Sequence, residues 1–334
     1  MRQPTIKDVA SLAGVSISTV SRVMNKSKPV SPEAEKKVID AINKLGFKPN
    51  ELARSLVMKK SNSIGVLVKD IGIDYMAQMI RGVEEIGKMY NYDILLSSTY
   101  GELESEKRTV DFLYRKQVEG IIVISEDIEA EIIVKIRDYN LPYILLDRYY
   151  KSSDYHTVTV DYRAAMQQAA EHLIAKGHKD ILYMKVTSVY EVSAQKRAGY
   201  EAAIRAHGLK SHYVETDGGE AKHAADVLKP LLSELRDGKY SAILTESDAL
   251  AIGTIGYLYD QGISVPDDVS VVGFGNSPLS GLFRPTLTTI SEPYYDIGAV
   301  GMRMLTKTLK REETMTESIY LPTTLIERGS VKPL

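Results

Sequence analysis

Ile17, Ser18, Ser21 and Arg22 alternate with Val20, Val23 and Met24 in a stretch that opens at Ser16. At helical spacing the three apolar residues form one inward stripe, and the other four face elsewhere. Small hydroxyls beside a guanidinium on the open face of a short helix suit hydrogen bonding to a polyanion such as nucleic acid. The charge agrees. Residues 1–60 carry 12 Lys+Arg against 5 Asp+Glu, whereas the whole chain of 334 residues has a net charge of -2, so the remainder is -9. A compact basic module on an acidic body fits a phosphate partner, because each phosphate neutralised releases condensed counterions.

A second set of polar residues stands just after apolar, β-rich runs: Asp70, Ser98, Ser125, Asp147 with Arg148, Ser247 with Asp248, and Gly275 with Asn276. In open α/β sheets, ligands sit at the carboxyl ends of the strands, so these residues, with Tyr75 and Lys196, outline an effector cleft. Catalysis lacks its usual motifs. There is no G-x-S-x-G elbow, G-x-x-x-x-G-K-[ST] loop, H-E-x-x-H or G-x-G-x-x-G after the first strand, and no two of the six His are spaced as metal ligands on a helix. With 0 Cys, disulfide, thiolate-metal and cysteine-nucleophile chemistry is excluded. No cofactor or metal is expected.

The elements that position these residues follow from local signals. Thr5-Ile6-Lys7-Asp8 is a capping box that starts a helix, and Gly14 ends it. Ser16 caps the second helix; Ser31-Pro32 opens a third, which Gly46 closes. Residues 49–61 form a linker with helical content, too short to be stable alone. Beyond it, apolar runs at 64–68, 94–96, 121–124, 143–146, 181–184, 242–244 and 269–274 read as buried parallel strands. Helical patterns at 76–90, 104–116, 163–176, 194–207 and 249–261 alternate with them. The fold class is therefore α/β: a three-helix headpiece (1–48), a hinge (49–61), and a body (62–334) of two doubly wound Rossmann-like subdomains. The first residues have no apolar signal region, and no run of 18 uncharged apolar residues occurs, so the chain is expected in the cytoplasm, away from membranes.

The runs Thr5-Ile6-Lys7-Asp8-Val9-Ala10, Ala13-Gly14-Val15-Ser16, Ser18-Thr19-Val20-Ser21-Arg22-Val23 and Asn25 resemble the headpiece of lactose-repressor (LacI/GalR) family regulators. The resemblance implies a helix-turn-helix with its second helix in the major groove, Ile17, Ser18 and Arg22 reading bases, and Arg22 matched to guanine O6 and N7. It assigns Ser16, Thr19, Ser21 and Asn25 to phosphates or caps, and extends the DNA-binding set to Thr5 and to Asn50, Arg54, Ser55 and Leu56 around a hinge helix. Paired hinge helices in that family push a leucine into the minor groove, and Leu56 is the matching residue. The same resemblance covers the body, which looks like a periplasmic sugar-binding protein with subdomains 62–160 plus 292–323 and 161–291. It implies a homodimer on a pseudo-palindromic double-stranded operator. No leucine heptads for a tetramerising tail occur near Leu334.

Two cleft positions depart from the sugar-responsive pattern. Lys196 stands where an Arg commonly precedes a Gly-Tyr pair, here Gly199-Tyr200, with Arg197 next to it as a substitute after a one-residue shift; Gly275 replaces the Asp that follows Gly-Phe. Meanwhile the run from Tyr294 to Lys307 and the run Arg81 to Tyr90 are similar to the catabolite-control branch of the family, whose co-repressor is the serine-phosphorylated phosphocarrier protein HPr. That similarity assigns Arg81, Tyr90, Tyr295, Asp296, Arg303 and Lys307 to a co-repressor surface. The expected function is thus a repressor of carbohydrate and catabolite genes using phosphorylated HPr. The alternative is an operon-specific repressor governed by a small sugar or sugar phosphate, and more remotely an exported sugar-binding protein.

Overall fold

The computed structural model describes residues 4–25, 28–47, 61–125, 129–147, 156–187, 191–312 and 318–334. Asn50, Arg54, Ser55, Leu56 and Arg148 lie outside the described residues, as does the expected hinge helix except for its last residue, Ser61. The chain divides into two compact units, Met1–Ser61 and Asn62–Leu334.

The first unit holds helices α1 (Ile6–Ala13), α2 (Ile17–Asn25) and α3 (Pro32–Leu45). The expected caps are in place. Asp8 accepts from both the backbone N–H and the hydroxyl of Thr5 at 2.7 Å. Gly14 and Gly46 end α1 and α3 in the left-handed region, at φ 66° and 61°, where a side chain would be strained. Val9, Ala10, Ala13, Val20, Val38 and Ala41 form the buried centre, with Ile6, Val23, Met24, Ile42 and Phe47 packed around it.

In the second unit, β1 (Ser63–Val68), α4 (Asp74–Met89), β2 (Asp93–Ser98), α5 (Leu103–Arg115), β3 (Gly120–Ile124), α6 (Ala130–Asp138), β4 (Tyr143–Leu146) and β5 (Thr157–Val160) alternate strand and helix up to a final pair of strands. Next come α7 (Tyr162–Ala175), β6 (Ile181–Val186), α8 (Glu191–Ala206), β7 (His212–Thr216), α9 (His223–Leu228), α10 (Leu232–Arg236), β8 (Ala242–Thr245) and α11 (Asp248–Asp260). The chain finishes with β9 (Ser270–Gly275), α12 (Pro278–Leu282), β10 (Thr288–Ser291), α13 (Tyr294–Leu309), β11 (Ile319–Leu321) and β12 (Thr324–Ile326).

Two six-stranded sheets result, ordered β11-β5-β4-β3-β1-β2 and β12-β10-β9-β8-β6-β7. All pairings are parallel except β10 with β12. The inner strands β3, β4 and β8 are buried at every residue, as expected where helices cover both faces of a parallel sheet. The chain passes from one sheet to the other between β5 and α7, returns between β10 and α13, and passes again between β11 and β12. The apolar runs therefore locate seven strands, although β2, expected to be buried, is an edge strand with none of its residues buried. They miss β5 and β10, half or more of whose residues are Thr or Ser, β11 and β12, which are three residues long, and the edge strand β7, whose burial alternates.

Helices α4 and α13 pack extensively against each other, and α13 lies on β3, β4 and β5. Their backbones touch through glycines: a Cβ at Gly82 would overlap the Tyr295 carbonyl, and one at Gly298 the Met79 carbonyl. Among the described residues no helix is long and apolar enough to cross a membrane.

Gly298→Ala should force these helices apart and cost about 1–3 kcal/mol, the usual penalty of overpacking. The urea midpoint should fall with the slope unchanged. An unchanged midpoint would show that the pair separates freely.

Candidate nucleic-acid interface and effector cleft

On α2, Val20 is fully buried while Ile17 is 45% exposed, and Ser18 and Arg22 are exposed on the same side. Ser16 precedes the helix and accepts the Thr19 N–H at 3.1 Å; its hydroxyl also pairs with those of Ser18 at 2.7 Å and Thr19 at 2.9 Å. Ser21 is half-buried at the edge of this face, and Asn25 is the last residue of α2. Thr5 is engaged with Asp8 at the start of α1. A hydroxyl cluster, an aliphatic group and a guanidinium thus stand together on one exposed helix face, the arrangement that enters a major groove in helix-turn-helix proteins.

In the body, most of the polar residues after the strands are engaged with other groups of the fold. Asp70 accepts the Gly72 N–H at 2.8 Å in the turn after β1. Ser98 ends β2 half-buried, and Ser125 is buried after β3. Asp147, 3% exposed, accepts the hydroxyl of Tyr162. Ser247 caps α11 by accepting the Leu250 N–H at 3.1 Å and donates to the Gly219 carbonyl at 2.6 Å. Asp248 accepts from the Thr289 hydroxyl at 2.5 Å and the Ser277 N–H at 2.6 Å. Asn276 donates to Ser291 at 3.1 Å and accepts from Arg328 at 2.7 Å. Tyr75 packs on Tyr294, with ring centroids 5.2 Å apart.

Lys196 points inward. Its Nζ lies 4.1 Å from the Phe274 ring centroid and 5.3 Å from that of Tyr162, and donates to the Glu246 carbonyl at 3.1 Å. Arg197 instead pairs along the helix with Glu201 at 3.2 Å, so the helical phase gives the inward place to the lysine. Sequence reasoning missed Glu246, Glu292, Tyr294 and Arg328. Glu246, 6% exposed, accepts from Tyr183 at 2.8 Å and Ser193 at 3.0 Å, and Glu292 accepts from Tyr294 at 2.6 Å. Arg328 also donates to Ser280 and to the Leu287 carbonyl. Nothing local signals these groups, since their partners, Glu292 and Tyr294 aside, are far away in sequence. Among the described residues no group of three His, Cys, Asp or Glu could hold a metal ion.

A third surface lies on α4 and α13. Glu85 accepts from the Tyr295 hydroxyl at 2.7 Å and from Arg81 Nε at 3.0 Å. These bonds, Tyr295 first, hold its carboxyl below the usual range. The Lys310 ammonium lies 4.5 Å from the Tyr90 ring centroid. Asp296 and Arg303 are exposed on α13, and Lys307 is half-buried.

The headpiece and the paired parallel sheets define a helix-turn-helix DNA-binding regulator with a ligand-binding-type body. Residues 5–50 match the bacterial regulatory proteins of the lacI family, and residues 170–331 match the periplasmic binding protein-like domain. The chain is 36% identical to catabolite control protein A of Priestia megaterium over 98% of its length and 99% of that protein's. It is also 36% identical to the HTH-type transcriptional regulator RegA of Clostridium saccharobutylicum, over 98% of each. The crystal structure of the lac repressor dimer bound to operator and the anti-inducer ONPF shares the fold, with a TM-score of 0.88 at 24% identity over 99% of this chain and 100% of that one. That of the regulator CcpA of Lactococcus lactis gives 0.74 at 25% identity over 81% of this chain and 99% of that one. The chain belongs to the lacI family of DNA-binding transcriptional regulators, and these relatives are regulators, not enzymes.

Burial raises the Glu246 carboxyl above its ordinary value of 4.5, against the opposing pull of Lys196, Tyr183 and Ser193. Asp248 is likewise raised from 3.8, mainly by burial. A raised folded value means the folded protein holds the proton more tightly, so this contribution is complete below the unfolded pKa and is lost as pH rises through the folded one. Glu246→Gln should therefore flatten part of the fall in melting temperature above about pH 4.5. Superimposable pH profiles for the two proteins would refute this assignment.

Proposed function

We propose that this regulator represses carbohydrate and catabolite genes in the cytoplasm, as a homodimer on a pseudo-palindromic operator, with serine-phosphorylated HPr as co-repressor. The observation that carries the co-repressor reading is the α4/α13 surface, where Arg81 and Tyr295 meet at Glu85 and Arg303 is exposed further along α13. The likeness to catabolite control protein A supports it, since it extends over both helices. A phosphoserine brings a charge near -2 and three acceptor oxygens, for which guanidinium groups and a tyrosine hydroxyl are suitable donors.

In this reading Arg22 contacts guanine, Ile17 a thymine methyl, and Ser16, Thr19 and Ser21 position the helix on phosphates. Residues 49–61, with Asn50, Arg54, Ser55 and Leu56, supply the hinge contacts. HPr binds one arrangement of the body more tightly than the other and so shifts the population toward the operator-competent state. The second reading, a small sugar or sugar phosphate in the cleft, is favoured by the inward Lys196, a cation suited to a phosphate or a hydroxyl cluster.

Fluorescence anisotropy on a palindromic catabolite-response-like DNA with a central CG step tests both readings. Serine-phosphorylated HPr should tighten binding, and Arg303→Ala should abolish that gain while leaving basal binding intact. A shift with one sugar and none with HPr would make this an operon-specific sugar repressor. Arg22→Ala should cost about 1–3 kcal/mol of operator affinity and relax the preference at one guanine. A uniform loss across all sequences would reassign Arg22 to a phosphate.

A further inference from the structure

Two tyrosines, Tyr162 and Tyr294, stand beside the passages between the two sheets. Tyr294 is the first residue of α13, directly after the passage from the second sheet to the first, and is 8% exposed. Its hydroxyl donates to Glu292 at 2.6 Å, and its ring leans on Tyr75 at 34°. Facing it from the other subdomain, β9 ends at Gly275, whose φ is +123°. A Cβ at Gly275 would stand 3.3 Å from the Tyr294 hydroxyl, the only heavy atom of the described residues within 4 Å of that point apart from Gly275 and its chain neighbours. Glycine at 275 thus leaves the space that the phenol takes. The first passage is built alike. Tyr162, the first residue of α7, donates to Asp147 at the end of β4, and the Lys196 ammonium lies over Tyr162 and Phe274. A tyrosine–carboxylate bond flanks two of the three passages.

We infer that Tyr294 is a built-in occupant of the effector cleft. Its phenol, seated on Glu292 and Tyr75 and abutting Gly275, takes the room a small ligand would need and holds the two subdomains at one spacing. The phenol biases the body toward its operator-competent arrangement, and the shift that HPr supplies adds to that bias. The part of this inference that concerns DNA rests on the proposed function, in which the arrangement of the body sets operator affinity.

The test uses the full chain with Tyr294→Ala, which removes the phenol and leaves its seat. p-Cresol should bind this variant saturably by calorimetry, toluene more weakly because it offers Glu292 no hydroxyl, and neither should bind the wild type. Operator affinity of Tyr294→Ala should fall about tenfold, within the range of ordinary coupling energies, and p-cresol should restore it. Tyr294→Phe keeps the ring and loses only the bond to Glu292, so it stays informative if the alanine variant unfolds; it should lose part of the operator affinity. Wild-type protein should show no saturable heat with glucose, ribose or cellobiose. Failure of p-cresol to bind the folded alanine variant, or sugar binding by the wild type, would overturn the occupancy. Bound p-cresol with operator affinity unchanged throughout would overturn the latch alone. The HPr titration on the wild type reports separately on the proposed function.

Discussion

The body depends on one constraint of connectivity: the chain passes between its two sheets three times, and each sheet is completed by strands that follow the other. β11 joins the first sheet through β5, and β12 joins the second through β10, although both come after α13. Neither subdomain is a finished unit without the other's chain. Three short passages side by side permit a bend about a shared axis and resist separation, the geometry of hinge closure around a ligand. The polar groups nearest those passages, Asp147, Tyr162, Glu292 and Tyr294, inherit leverage from that position.

Buried polar bonds then fix the second subdomain internally. Asp248 ties the start of α11 to the segment before α12 and to β10. Arg328, from the last segment, spans Asn276, Ser280 and the Leu287 carbonyl. Ser330 donates to Val271 and accepts from Thr288, so the end of the chain is stitched into the sheet rather than trailing from it. Such groups, costly to bury alone, stabilise one arrangement when fully partnered.

The headpiece is legible in the amino-acid sequence because its signals are local. The Thr5–Asp8 box, Gly14, Pro32 and Gly46 each act within a few residues, and the first two of these signals also carry part of the family resemblance. The inner strands are legible because burial on both faces leaves continuous apolar runs. β5 and β10 escape for the opposite reason. Thr157, Thr159, Thr288 and Thr289 are fully buried yet read as polar, and the hydroxyls of Thr288 and Thr289 reach the Arg328 carbonyl and Asp248, far along the chain. The cleft was outlined by strand ends, a rule of topology. Its inward carboxylate Glu246 and its occupant Tyr294 depend on tertiary packing that no spacing encodes. Lys196 and Arg197 could be told apart only once the phase of α8 was fixed.

The glycine contacts between α4 and α13 set how any partner must meet that face. Two helices from opposite ends of the chain are locked backbone to backbone, so the surface has little freedom to remodel. Recognition there would rest on a fixed backbone, with adjustment left to side-chain rotamers. Its association rate should respond to charge and ionic strength more than to any folding step, and its selectivity should reside chiefly in how fast wrong partners leave.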